Sequence, residues 1–283
     1  MKWQGRRGSR NIEDRRSMRG GKAVGGIGGL GLIAVVVIGY FLGIDVTPLL
    51  EGAGGISTQT QTTQITAADE EAAQFVSVTL ADTEEIWTGV FADQLNARYQ
   101  PPILVLYKGV TQSPCGSASG ATGPFYCPSD QKVYLDTDFF TTMSRTLGAN
   151  GDFAAAYVVA HEVAHHVQNE LGILGQANAY RAQVTEDKSN AVSVMIELQA
   201  DCYSGIWAKK ADEAFGSLEH GDIREALNAA KQIGDDTLQK NAGRVPQPHT
   251  FTHGTSEQRQ TWFATGYKTG DLASCDTFSA DRL

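Results

Sequence analysis

Apolar positions recur at helical spacing over residues 72–99, where Phe75, Val78, Ile86, Val90, Phe91 and Leu95 fall on related faces. The pattern predicts one long helix, or two shorter ones meeting near Asp82. Pro101-Pro102 stops it. Ile103-Leu104-Val105-Leu106-Tyr107 is a short apolar run that predicts a strand, and Lys132-Val133-Tyr134-Leu135-Asp136 alternates like a second one. The turn Asn150-Gly151-Asp152, with Asp152 placed to cap, opens a helix from Phe153 to about Leu171. Further helices are predicted over about Asp187–Lys210 and Ile223–Ile233. Pro246 and Pro248 then break the chain before a last helix over Ser256–Gly266. Helices dominate and a small sheet comes early, so the expected fold class is α+β.

Upstream the pattern changes. Ala23 to Ile44 is a run of 22 residues without a charge, long enough to span a bilayer as a helix. Eight Lys or Arg and two acidic residues lie in 1–22. By the positive-inside rule, 1–22 is expected to be a basic cytoplasmic segment, with 23–44 a single membrane helix. An uncleaved anchor is favoured over a signal peptide, because the charged region is long and no A-x-A site follows. Residues 45–68, rich in Thr, Gln and Gly, predict a linker, and 69–283 the folded domain, exported from the cytoplasm. Tyr40 and Phe41 suit a membrane interface. On this reading the protein is anchored in a membrane, with its N-terminus in the cytoplasm and its domain outside.

Charge and cysteines narrow the class. The net charge is -9, and beyond residue 22 the chain holds 15 basic and 30 acidic residues, an acidic body unsuited to nucleic acid. Cys115, Cys127, Cys202 and Cys275 form an even set without a C-x-x-C spacing, which predicts disulfides rather than a cysteine metal site. Cys115 and Cys127 flank a Gly/Ser/Pro-rich stretch and are expected to pair. Cys202 would then pair with Cys275.

The chemistry concentrates in His161-Glu162-Val163-Ala164-His165. Four helical residues turn about 400°, so both imidazoles face one way and can take a single Zn²⁺. Glu162 is then placed to act as general base on a zinc-activated water. His166 lies about 140° round the helix from His161, off the metal face, and is expected either on the polar side or as a supporting histidine behind the ligands. A catalytic zinc needs a third protein ligand and an open position. Glu197 is the candidate, with Asp201 one turn on as hydrogen-bond partner of a ligating histidine. Glu170, Glu186 and Asp187 are competing ligands. His253 is the candidate for steadying an oxyanion, or a capping or surface histidine; the prolines near His249 argue against a second helical His pair.

The chain resembles the bacterial family of neutral zinc metallopeptidases, small membrane-anchored proteins. The resemblance rests on Lys2-Trp3-Gln4-Gly5-Arg6-Arg7 with Glu13-Asp14-Arg15-Arg16, on Gly123–Pro128 and on Lys132–Asp136. It rests further on His161–His166, Glu197–Cys202 and Thr252–Arg259. It implies a zincin-like fold with a His/His/Glu zinc site, and supports Glu197 as ligand and Asp201 behind it. The expected activity is peptide-bond hydrolysis on a peptide or protein substrate, held by strand addition at Lys132–Asp136. A non-catalytic zinc-binding interaction protein and a zinc hydrolase of a non-peptide bond are the alternatives. The sequence sets no oligomeric state.

Overall fold

In the computed structural model, which describes residues 1–17, 65–119, 122–145 and 148–280, a short strand β1 (Ile12–Asp14) comes first. Helix α1 (Ala67–Leu95) follows, then strands β2 (Ile103–Tyr107), β3 (Val110–Ser113), β4 (Gly116–Ser119), β5 (Phe125–Cys127) and β6 (Lys132–Asp136). The rest is helical: α2 (Phe139–Arg145), α3 (Asp152–Glu170), α4 (Ile173–Arg181), α5 (Glu186–Phe215), α6 (Asp222–Gln232), α7 (Asp235–Asn241) and α8 (Ser256–Thr269). This is a mainly helical α+β fold with a small mixed sheet. Among the described residues no helix is long and apolar enough to cross a membrane; the apolar run 23–44 lies outside them.

The sheet has the order β1-β2-β6-β5, with β1, β2 and β6 parallel and β5 antiparallel to β6. Strand β2 is apolar at every position because both its faces are covered. Leu104 and Leu106, with Val133 and Leu135 of β6, pack toward the helices. Val105, Tyr107 and Tyr134 meet Ala118 and Cys127 on the other face. The β3–β4 hairpin is tied there by the disulfide Cys115–Cys127, and a second disulfide, Cys202–Cys275, ties α5 to the C-terminal turn.

Several expectations need correcting. Strand β6 is interior to the sheet, so Lys132–Asp136 cannot receive a substrate strand; the outer side of β5 has no strand partner among the described residues. Helix α1 starts at Ala67, inside the expected linker, because Thr66 and Asp69 form a reciprocal capping box. Gly151, not Asp152, caps α3. Asp152 instead accepts from the α-amino group of Met1 at 2.8 Å, with Asp222 and Glu219 also on that amine.

The largest correction concerns residues 1–17. They were expected as a separate basic segment, and they form part of the folded body. Met1 and Trp3 are buried, and the Trp3 ring meets Phe75 of α1 edge-on at 5.5 Å. Leu104 N–H donates to the Asn11 carbonyl at 2.8 Å, and Arg15 N–H donates to the Leu106 carbonyl at 2.7 Å, which seats β1 on the sheet.

Candidate metal centre

Helix α3 is apolar on almost every side, from Phe153 to Val167, and such a helix is stable only when buried. It lies across α5 and α6, with the sheet beneath it. The His-x-x-x-His spacing then sets both rings on one face, 4.8 Å apart between centroids.

Helix α5 brings the carboxylates. Glu197 Oε2 lies 3.1 Å from His161 Nε2, and Glu197 Oε1 lies 3.4 Å from His165 Nε2. The three ligand atoms fall within 4.8 Å of one another. Tetrahedral donors 2.0–2.1 Å from one zinc ion stand roughly 3.4 Å apart, so this donor set fits zinc. Charge points the same way. Among the described residues, Glu162, Glu197 and Asp201 face only one permanent cation, Arg259, a deficit that burial makes costly unless a cation enters. Desolvation works to lower the His161 pKa, but Asp201 and Glu197 outweigh it and raise it to about 10, so the surroundings of this ring favour positive charge. A proton there satisfies the demand for positive charge that a metal ion would meet.

Behind the ligands lies a buried network. Asp201 Oδ1 approaches His161 Nδ1 to 2.9 Å, off the line of a formed hydrogen bond. Arg259 of α8 holds Asp201 with two bonds, Nε to Oδ2 at 2.8 Å and Nη2 to Oδ1 at 3.0 Å. Tyr157 donates its hydroxyl to Asp201 and accepts from Arg259. Arg259 gets this close because two glycines let α8 lie on α5. A Cβ on Gly266 would sit 1.8 Å from the Cys202 carbonyl oxygen, and one on Gly205 would sit 2.1 Å from the Phe263 carbonyl oxygen.

Glu162 is buried beside the two rings, and its carboxylate has no hydrogen-bond partner among the described residues. Burial raises its pKa, and the two histidines pull it partly back. A carboxylate so placed has raised basicity.

His253 stands in the loop before α8, its side chain about half exposed, with Nδ1 3.2 Å from Asp235 Oδ1. Asp235 Oδ2 also accepts from the backbone N–H groups of Thr252, His253 and Gly254. Gly254 has φ +89 and packs on Val194, three residues before Glu197, and on Leu198, the residue after it. The loop is thereby fixed against α5 beside the ligand. Desolvation acts to lower the His253 pKa, but Asp235 and the charge of Glu197 raise it above its ordinary value.

The other candidates separate from this group. His166 is buried rather than on a polar side; its Nε2 donates to the Gln100 carbonyl at 2.6 Å and its Nδ1 accepts from Tyr126. Glu186 and Asp187 begin α5 and lie about 15 Å along the helix from Glu197. Glu170 ends α3, outside the group of metal-ligating atoms. His249 offers its carbonyl to Asn190 in a 3-10 turn. Asp235, Arg259, Tyr157 and the glutamines behind His165 were not singled out as functional by sequence reasoning. Tyr157, one turn before His161, shares its face, so its spacing carried a signal; Asp235 carried none.

The profile of the family described as "Putative neutral zinc metallopeptidase" matches residues 1–278. Protein YpfJ of Escherichia coli (strain K12), itself uncharacterised, is 47% identical over 287 residues, covering 98% of this chain and 99% of that protein. The uncharacterised protein Rv2575 of Mycobacterium tuberculosis (strain H37Rv) is 46% identical over 195 residues, covering 65% of each chain. No solved structure matches. The chain therefore belongs to the neutral zinc metallopeptidase family.

Proposed function

We propose that the protein hydrolyses peptide bonds as a zinc-dependent peptidase with a zincin-like site, acting outside the cytoplasm. His161, His165 and Glu197 hold the metal. Bound there, zinc would supply Lewis acidity toward the scissile carbonyl and toward water, whose pKa such a site brings to about 7. Glu162 takes a proton from the attacking water and delivers it to the leaving amine. His253, oriented by Asp235 through its Nδ1, donates a hydrogen bond to the carbonyl oxygen as negative charge develops on it. Asp201, clamped by Arg259, stands behind the His161 ring and favours the tautomer that leaves Nε2 free to bind. The substrate backbone is taken up on the open side of β5, whose Tyr126 touches α3 through His166. The two disulfides support an oxidising compartment for the body.

The observation that carries this reading is the buried, unbonded carboxylate of Glu162 next to three converging ligand atoms. A purely structural zinc site closes its shell with a fourth protein ligand and has no use for such a group. Glu162→Gln should keep one zinc per chain and lower the cleavage rate of a mixed peptide library about 10²–10⁴-fold. Cleavage at the parent rate would refute the mechanism. Zinc-dependent turnover of esters but of no peptide would favour a different scissile bond.

A further inference from the structure

The expected topology crosses the membrane once between residues 22 and 45, and the packing of residues 1–17 is incompatible with that. β1 is hydrogen-bonded to β2 in parallel register, Ile12 beside Leu104, Glu13 beside Val105 and Asp14 beside Leu106. Ser9 N–H donates to the Ser77 carbonyl of α1 at 2.9 Å, and Lys2 N–H to the Ser217 carbonyl at 2.8 Å. A hydrocarbon core is about 30 Å thick. Residues on opposite sides of it cannot share a sheet.

The basic block, the other argument for a cytoplasmic N-terminus, is largely used by the fold. Arg6 Nη1 pairs with the buried Asp82 of α1 at 2.6 Å, and its guanidinium lies 4.3 Å above the Phe215 ring. Arg16 is itself buried, pairing with Asp14 at 2.7 Å and Glu70 at 3.3 Å and donating to the Asp69 carbonyl at 2.8 Å. Arg15 pairs with Glu13 at 2.8 Å, and Lys132 of β6 reaches the same carboxylate at 2.6 Å. These cations are there to hold the N-terminal segment on the acidic flank of α1 and on the sheet. Arg6, Arg15 and Arg16 thus have a role in the fold itself, while Arg19 and Lys22 lie outside the described residues.

We propose that residues 1–17 and residues 65–280 occupy the same compartment, so that no single membrane crossing separates them. The N-terminal strand, on this proposal, is exported with the metal centre. The inference stands on the packing of the described residues and is independent of the catalytic reading.

Topology mapping of the full chain in bacterial cells tests it. The four native cysteines are paired, so an added thiol reports alone. Arg10→Cys marks the N-terminal segment at an exposed position, and Val245→Cys, 81% exposed, marks the body. A membrane-impermeant maleimide is applied before and after the inner membrane is broken. The expected result is that both thiols react in the same condition. Reaction of one in intact cells and of the other only after lysis overturns the proposal. A second variant pair reads proximity directly. A Cβ on Gly8 would lie 3.4 Å from Ser77 Cβ, close to disulfide geometry. Gly8→Cys with Ser77→Cys should therefore cross-link in intact cells given a membrane-permeant oxidant, and failure to do so counts against a shared compartment.

Discussion

His165 shows how far a ligand depends on residues that never touch the metal. Gln168 Nε2 donates to the Ile196 carbonyl at 2.8 Å and to Gln199 Oε1 at 3.0 Å, which turns its Oε1 toward His165 Nδ1 at 2.9 Å. The ring must then carry its proton on Nδ1, leaving Nε2 bare on the metal side. Gln199 Nε2 in turn donates to the Cys275 carbonyl at 3.0 Å, beside the disulfide. Gln168→Leu removes the acceptor and strands two buried partners. We expect zinc affinity to fall about 10–100-fold and stability by about 1–3 kcal/mol. Competition with a chelator and thermal melting read the two effects, and unchanged affinity would show that the relay does not position His165. The i, i+4 spacings of His161 with His165 and of Glu197 with Asp201 were legible because helix geometry fixes them. The relay was not, since Gln168 and Gln199 meet across two helices and nothing local in the sequence marks that distance.

Among the elements, the crossing of α5 and α8 is the tightest contact that serves the site. Ala favours a helix interior over Gly by about 1 kcal/mol. At Gly266 that gain is outweighed, because the new Cβ would meet a backbone carbonyl at 1.8 Å, which no rotamer change relieves. Gly266→Ala should cost about 1–3 kcal/mol in denaturant unfolding and loosen the Arg259 clamp on Asp201, so zinc affinity should drop with it. A stabilised variant would contradict the packing described. The cap of α1 gives a pH-resolved counterpart. Burial works to raise the Asp69 pKa, but Lys108 at 2.7 Å and bonds from Thr66 and Thr137 overcome it and hold the carboxyl well below its usual range. A carboxylate depressed in the folded state adds stability that is complete above its unfolded pKa and is lost as pH falls further. The penalty of Asp69→Asn, on the order of 1 kcal/mol, should therefore be level from pH 7 to about 4 and shrink below. A penalty that grows on acidification would reverse the assignment. Long periodic helices such as α1, α3 and α5 were readable from apolar spacing alone. The short ones were not: α4 and α7 are polar or glycine-bearing segments placed by their neighbours, and β5 has only three residues.

For the molecule as a whole, the deciding feature is a strand that sequence patterning had no means to find. Asn11-Ile12-Glu13-Asp14-Arg15-Arg16 has one apolar residue in six, and its partner strand begins 89 residues after the end of β1. Charge density and distance both hide it, and the adjoining apolar run drew the basic residues into a membrane reading. The fold uses them differently, and Trp3 measures how much depends on the arrangement. Its side chain is 8% exposed, set against Phe75 in the same core that holds Phe153, Tyr157 and Trp207. Truncating a buried Trp costs about 3–5 kcal/mol. At roughly 2–4 °C per kcal/mol for a domain of this size, Trp3→Ala should lower the melting temperature by about 6–20 °C. Because one core links α1 to the metal helix, the loss should appear as a single transition, with near-ultraviolet signal and zinc release moving together. If residues 1–17 were an appendage, the variant would melt where the parent does. If they formed a separately folding layer, the signals would part, and zinc would stay bound above the first transition.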